Sequence, residues 1–301
     1  MTKRVLMTGV TGFIGRNLAV RLVNEGWEVH AIVRNTSKLN DCIQLEGKCV
    51  YHLSDGEINS LIAILGRVRP DVVFHLASLY IVDHVYEQIP SLINSNISLG
   101  VNLLEAMVAT NCLKIINAGT SWQNYQCDTY RPVNLYAATK QAFEDILAYY
   151  CDAKKVASIT LRLFDTYGPN DQRKKVLNLI VDALLEQKIL GMSPGEQVID
   201  ISNIDDVVES FYRAGLYILA SNSPSNDVFF VSGEQYTLRS LVASVAAILG
   251  KNYDCISFGK RAYREREVMS LPNVKGLTAP WDNFPRKSLR EGVLSIIKAS
   301  S

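Results

Sequence analysis

Thr8-Gly9-Val10-Thr11-Gly12-Phe13-Ile14-Gly15 spaces three glycines evenly just after an apolar run near the start of the sequence. The apolar run that opens at Arg4 reads as a strand ending at Thr8, and residues 15–26 carry the pattern of a helix. Glycines spaced G-x-x-G-x-x-G between a strand and a helix let the backbone approach a pyrophosphate at a helix N-terminus, where unpaired N–H groups and the macrodipole favour an anion. Gly9, Phe13, Ile14, Gly12 and Gly15 are therefore candidate dinucleotide-binding residues. A plain turn is the competing reading, and the strand before and the helix after weigh against it.

Beyond this turn, short β-branched runs at 28–33, 49–53, 71–76, 113–118 and 158–164 alternate with helix-like segments at 57–67, 89–110 and 136–151. Repeated strand–helix units of this kind build a parallel sheet with helices on both faces, so the expected class is α/β, a doubly wound Rossmann sheet over residues 1–168. Beyond Gly168-Pro169-Asn170 the alternation weakens. Residues 169–301 are expected to form mainly a smaller α/β substrate-binding lobe, with returns to the first domain near 198–220 and 227–232.

The formal net charge of +1 supplies no broad field for a polyanion, so neither nucleic acid nor a membrane surface is expected as a partner. The six cysteines form no CxxC pair and are read as reduced thiols, and the opening apolar stretch Val5-Leu6-Met7 is too short for a leader or a membrane span; a cytoplasmic protein is expected. His30, His52, His75 and His84 lack metal-ligand spacing, so no metal is expected, and His75 reads as a polar strand-end residue.

The second strand runs into Arg34, with Ser37 and Lys38 close behind, where an acidic residue would bind the ribose hydroxyls of NAD. A basic group there suits a 2′-phosphate. NADP(H) is thus favoured, with NAD(H) the alternative. Tyr136 and Lys140 stand four apart at the start of a helix and share a face, so a phenol and an ammonium can serve one reacting group; the lysine charge is expected to draw the phenol pKa down. Gly119-Thr120-Ser121 follows the strand at 113–118 and brings hydroxyls to the carboxyl edge of the sheet.

Together with His75-Leu76-Ala77-Ser78, Asn96, Gly100, Leu103-Leu104-Glu105-Ala106 and Leu161-Arg162-Leu163-Phe164-Asp165-Thr166-Tyr167-Gly168-Pro169, these residues resemble the extended short-chain dehydrogenase/reductase family, also called the NAD-dependent epimerase/dehydratase family. The resemblance implies Thr120, Tyr136 and Lys140 as the catalytic set, with Ser121 second to Thr120. It implies Asp55, Leu76, Ala77, Ser78 and Asn96 beside the cofactor; for Asp55 a helix cap is an equal reading. It implies a nucleotide-diphosphate sugar as substrate, met by Ser121, Asp165, Lys175 and Arg264, with Arg173 and Lys174 as further charge and Trp122 and Trp281 as candidate lobe-lining or core aromatics. It also implies a homodimer through the helices at 89–110 and 136–151.

Dehydratases of the family carry an Asp-Glu pair after the catalytic threonine, and Ser121-Trp122-Gln123 stands here instead. The likeness is to 4-ketoreductases that finish nucleotide-linked deoxysugars for bacterial polysaccharides. A nucleotide-sugar 4-epimerase with tightly bound NAD and, more remotely, a non-catalytic dinucleotide sensor are the alternatives. Asp165 departs from the family's asparagine, and Ile199 from an arginine that grips the diphosphate.

Overall fold

The computed structural model describes residues 2–34, 42, 44–173, 175–221, 223–273 and 277–300. Its main element is a seven-stranded parallel sheet in the order β10-β6-β5-β4-β1-β2-β3. These strands are β1 (Arg4–Thr8), β2 (Glu28–Val33), β3 (Cys49–Leu53), β4 (Val72–His75), β5 (Lys114–Thr120), β6 (Ala157–Leu163) and β10 (Asn226–Val231). The central ones are apolar on both sides because helices cover both faces. On one face α1 (Phe13–Asn24) and α7 (Ile204–Ala220) bury Leu18, Leu22, Phe211 and Ala214. On the other, α2 (Ile58–Val68), α3 (Ile89–Ile93), α4 (Leu99–Ala109) and α5 (Leu135–Lys154) cover the sheet, with Leu61, Leu104, Met107, Phe143 and Leu147 in that core.

The single helix expected over 89–110 is two α segments joined by a π-turn, Asn94–Ser98. By length and composition the run Tyr86–Ala109 is apolar enough to cross a bilayer. Here it is a core helix, with Leu92, Leu103, Leu104 and Met107 fully buried.

After β6 the chain crosses at Phe164 into β7 (Asp165–Tyr167), which belongs to a separate sheet of order β11-β9-β7 with β9 (Val198–Asn203) and β11 (Glu234–Thr237). The second lobe adds α6 (Val176–Glu186), α8 (Leu238–Leu249), α9 (Leu289–Ser300) and a short pair of β8 (Leu190–Gly191) with β12 (Ile256–Ser257) around its own core. The strand at 198–203 therefore pairs in the small sheet, while α7 and β10 carry the chain back to the large one.

Candidate active site

The strand order reverses between β1 and β4, and the carboxyl ends of those strands part over the glycine turn, the crevice where doubly wound sheets bind ligands. Gly9 has φ +76°, and a Cβ there would lie 2.6 Å from the backbone of Leu76 and Ala77, so only glycine lets the turn press against the loop after β4. At Gly15 a Cβ would come within 2.1 Å of the Gly9 carbonyl oxygen. Gly12 donates to that carbonyl at 3.0 Å and caps α1 with no side chain, which leaves first-turn N–H groups without a side-chain acceptor. That arrangement fits a dinucleotide pyrophosphate. The guanidinium groups of Arg16 and Arg173 lie 5.4 and 4.6 Å from the ring centre of Phe13.

The loop after β4 is fixed from both sides. Thr8 Oγ1 meets His75 Nδ1 at 2.9 Å and accepts the Ala77 N–H at 3.2 Å. Burial pushes His75 down to about 3, with the Lys140 charge adding to the effect, so its ring is neutral, a strand-end polar residue. Asn96 Oδ1 accepts from Ser78 Oγ (3.1 Å) and the Leu79 N–H (2.7 Å), and Nδ2 donates to the Leu79 carbonyl and to Thr139 Oγ1. The Asn96 amide, expected beside the cofactor, is here fully spent on protein and ties the Ser78 loop to α5.

Thr120 ends β5. Its Oγ1 accepts the Trp122 N–H at 3.3 Å, which leaves its own hydrogen free to be donated, and its backbone N–H is taken by Gln123 Oε1 at 3.0 Å. Gln123, fully buried, donates to Gln141 Oε1 at 2.8 Å, and Gln141 Oε1 also accepts from Arg162 at 3.0 Å. Arg162 closes on Glu144 at 2.6 Å, a pair with side-chain exposures of 14% and 6%, so the charges are shielded from water and must stay paired. The position after Ser121-Trp122 is thus structural support beneath Thr120.

Asn134 caps α5 by accepting the Ala137 N–H at 3.0 Å and also donates to the Val82 carbonyl at 2.9 Å, which sets where Tyr136 and Lys140 emerge. Tyr136 is half-buried, its ring edge-on to Tyr80 with centroids 5.1 Å apart. Burial pushes its phenol up to about 12; the Ser78 hydrogen bond and the Lys175 and Arg173 charges pull the other way, and Tyr80 adds to the rise. Lys140, 2% exposed, is itself pushed down to about 8 by burial, against support from Glu144. The expected lowering of Tyr136 by Lys140 is therefore corrected: in the protein alone, burial dominates both groups and the phenol stays protonated. Among the described residues none hydrogen-bonds the Lys140 ammonium, which fits a donor kept for ribose hydroxyls.

A cleft of about 240 Å³ lies over the turn, lined by Gly9, Gly12, Phe13, Ile14, Gly15, Leu76 and Ser78 on one side and by Thr120, Tyr136 and Lys140 on the other. Beside it is a larger cavity of about 620 Å³ between the lobes, which Arg264 lines. Ser121, Asp165 and Lys175 line both, together with Tyr80, Trp122 and Arg173, so the two spaces share one wall. Trp281 belongs to the main core instead. Ala77 and Asn96 support the cleft from behind.

Arg34 and Asp55 stand exposed just beyond β2 and β3, on the same sheet edge as the turn but outside the cleft wall. Asp55 Oδ1 accepts the Glu57 N–H at 3.0 Å, a local turn bond. Ser37, Lys38 and Lys174 lie outside the described residues. No cluster of His, Cys, Asp and Glu among the described residues is arranged to hold a metal. Reading the sequence missed Tyr80, Arg261 and the Glu144–Arg162 network. Of these only Glu144 had a signal, four residues beyond Lys140 on the same helix face.

A doubly wound sheet with this turn, facing a tyrosine and a lysine one helical turn apart, defines a dinucleotide-fold oxidoreductase. Residues 5–226 match the model of the NAD-dependent epimerase/dehydratase family. The chain is 30% identical to a CDP-abequose synthase of Yersinia pseudotuberculosis over 90% of its own length and 92% of that protein's. It is 26% identical to a CDP-abequose synthase of Salmonella typhimurium over 98% and 97%. The solved UDP-glucuronic acid 4-epimerase of Bacillus cereus, in complex with UDP-glucuronic acid and NAD, shares the fold with a TM-score of 0.84 at 23% identity, covering 98% of both chains. The chain belongs to the NAD-dependent epimerase/dehydratase family, the extended short-chain dehydrogenase/reductases.

Proposed function

We propose that the protein reduces the C4 keto group of a nucleotide-linked 4-keto-6-deoxysugar with NADPH. The observation that carries this reading is the place of Tyr136: with Thr120 and Lys140 it lines the cleft over the glycine turn, whose wall is shared with the larger cavity. Reduction of a ketone needs a proton donor at the nascent alkoxide, and a protonated tyrosine is one. The near-full-length likeness to CDP-abequose synthases supports a deoxysugar nucleotide as substrate.

Bound NADPH would supply the hydride. Tyr136 would give its proton to the C4 oxygen while the free hydrogen of Thr120 bonds the same atom, and Ser121 stands next as the alternative hydroxyl. Lys140 would hold the nicotinamide ribose, and the first-turn N–H groups of α1 the pyrophosphate. Arg264 and Arg261 line the larger cavity with no side-chain hydrogen bond or ion pair to their guanidinium groups among the described residues, and a substrate diphosphate suits such groups. Arg34 favours the 2′-phosphate of NADP(H) over NAD(H). A 4-epimerase holding NAD is the second reading, favoured by the NAD bound in the Bacillus cereus neighbour.

The test is NADPH consumption with CDP-, dTDP-, GDP- and UDP-linked 4-keto-6-deoxysugars. We expect turnover with one of these, and a fall of about 10²-fold or more in Tyr136→Phe. Unimpaired turnover in that variant would remove the assignment. Inversion at C4 of a 4-hydroxy nucleotide sugar by protein-bound NAD, with no NADPH consumed, would establish the epimerase instead.

A further inference from the structure

The Lys175–Asp165 ion pair stands on the substrate side of Tyr136 and takes no part in the proton transfer described above. Asp165 is the first residue of β7, set just past the crossing between the two sheets, and Lys175 is the capping residue of α6. Lys175 Nζ lies 2.8 Å from Asp165 Oδ1 and 4.8 Å from the ring centre of Tyr80. The Tyr80 ring meets Tyr136 edge-on at 83° and leans on Trp122 at 5.7 Å. Ion pair, cation–π contact and aromatic edge thus form one continuous chain ending at the phenol.

We propose that Lys175, fixed by Asp165, is a positioning residue for Tyr136: it braces the phenol through Tyr80 and presents a cation to it from the substrate side of the cleft. This rests on the reading of Tyr136 as proton donor. The groups facing Tyr136 are Ser78, Tyr80, Lys175 and Arg173, with Lys140 one turn along its own helix. Lys175 in turn faces Asp165, Tyr80 and Arg173, and Tyr80 also faces Arg264. Burial disfavours the Lys175 charge, but Asp165 and Tyr80 outweigh it and hold the ammonium above its ordinary range, so the cation persists wherever the enzyme works. Lys175 favours the phenolate, Asp165 tempers that pull, and the pair sets how readily Tyr136 releases its proton.

The two halves of the pair predict opposite effects, which a merely structural role would not produce. The experiment follows the tyrosine Cζ resonances of the isotope-labelled protein, titrated with alkali, the Tyr136 signal being the one missing from Tyr136→Phe; NADP⁺ is bound because its nicotinamide cation should draw the Tyr136 midpoint below that of the protein alone, to where Lys175 still carries its charge. Lys175→Met should raise the Tyr136 midpoint by about one pH unit or more, the effect of losing a nearby opposite charge. Asp165→Asn should lower it, and Lys175→Arg should leave it near the wild-type value. An unmoved midpoint in Lys175→Met, or a shift of the same sign in both charge-removing variants, overturns the proposal. No sugar is needed for the titration, so an active Tyr136→Phe, which would end the ketoreductase reading, and an unmoved midpoint are separate results.

Discussion

Lys140→Met is expected to yield a protein that is more stable and catalytically dead. The lysine is 2% exposed, and burial displaces its pKa from 10.5 to about 8. At about 1.4 kcal/mol per pH unit, that displacement costs the folded state about 3 kcal/mol near neutral pH. The sign follows from proton counting. Below about 8 both folded and unfolded chains hold the proton, and the fold bears the whole penalty. Between about 8 and 10.5 the folded lysine releases its proton while the unfolded one keeps it, so stability climbs with pH; above 10.5 the penalty is gone. Methionine matches the stem without the charge, so its advantage of about 3 kcal/mol at neutral pH should fade across the same interval. Denaturant unfolding at neutral and alkaline pH, without cofactor, measures both values, with the denaturant slope checked for constancy. A Lys140→Met protein less stable than wild type at neutral pH, or a difference that ignores pH, would refute the reasoning. Confirmation would show a site that sacrifices stability to keep a charge where chemistry needs it.

Gly15→Ala places a methyl 2.1 Å from the Gly9 carbonyl, so the turn must shift. We expect a loss of about 1–3 kcal/mol in stability and at least about tenfold in dinucleotide affinity, and unchanged affinity by calorimetry would show that the turn does not set the cofactor's place. Glu144→Ala leaves the Arg162 guanidinium without its buried partner and should cost about 3–5 kcal/mol in denaturant unfolding; a near-neutral result would mean that the pair is wetter than its 6% and 14% side-chain exposures imply. Arg34→Ala should weaken NADPH by about tenfold or more and leave NADH nearly untouched, as loss of a charge-assisted bond implies. Equal losses for both, read by nicotinamide fluorescence, would count against a 2′-phosphate contact.

The large sheet was legible because local patterns agree with it: β1, β2 and β3 run over the residues expected from their β-branched runs, and the glycine turn sits between strand and helix as read. The small sheet was not. β7 has three residues, and β11 reads Glu-Gln-Tyr-Thr, so neither carries an apolar alternation long enough to see. The π-turn was hidden for another reason: its apolar period matches an α-helix, and the bonds that give Asn96 its place come from Ser78, Leu79 and Thr139, all distant in sequence. Thr120, Tyr136 and Lys140 could be named from spacing and resemblance, and the structure gathers them along one cleft. Their electrostatics could not. Whether Lys140 tunes Tyr136 or burial rules both is decided by what covers them, and Lys175 reaches the site only because the chain crosses between sheets at Phe164.

The π-turn at Asn94–Ser98 has a genetic corollary. A widened turn accommodates one more residue than the α-helix would, so removing a single codon there lets the helix rewind into ordinary geometry with both flanks kept in phase. Leu92 would stay in the interior, and the amide at position 96, which the widened turn presents to the Ser78 loop, would be what is lost. The same deletion from the regular helix on either side would rotate one flank by about 100° and turn its apolar face out; an in-frame deletion at the turn would therefore unfasten the crevice wall and spare the hydrophobic layer beneath it.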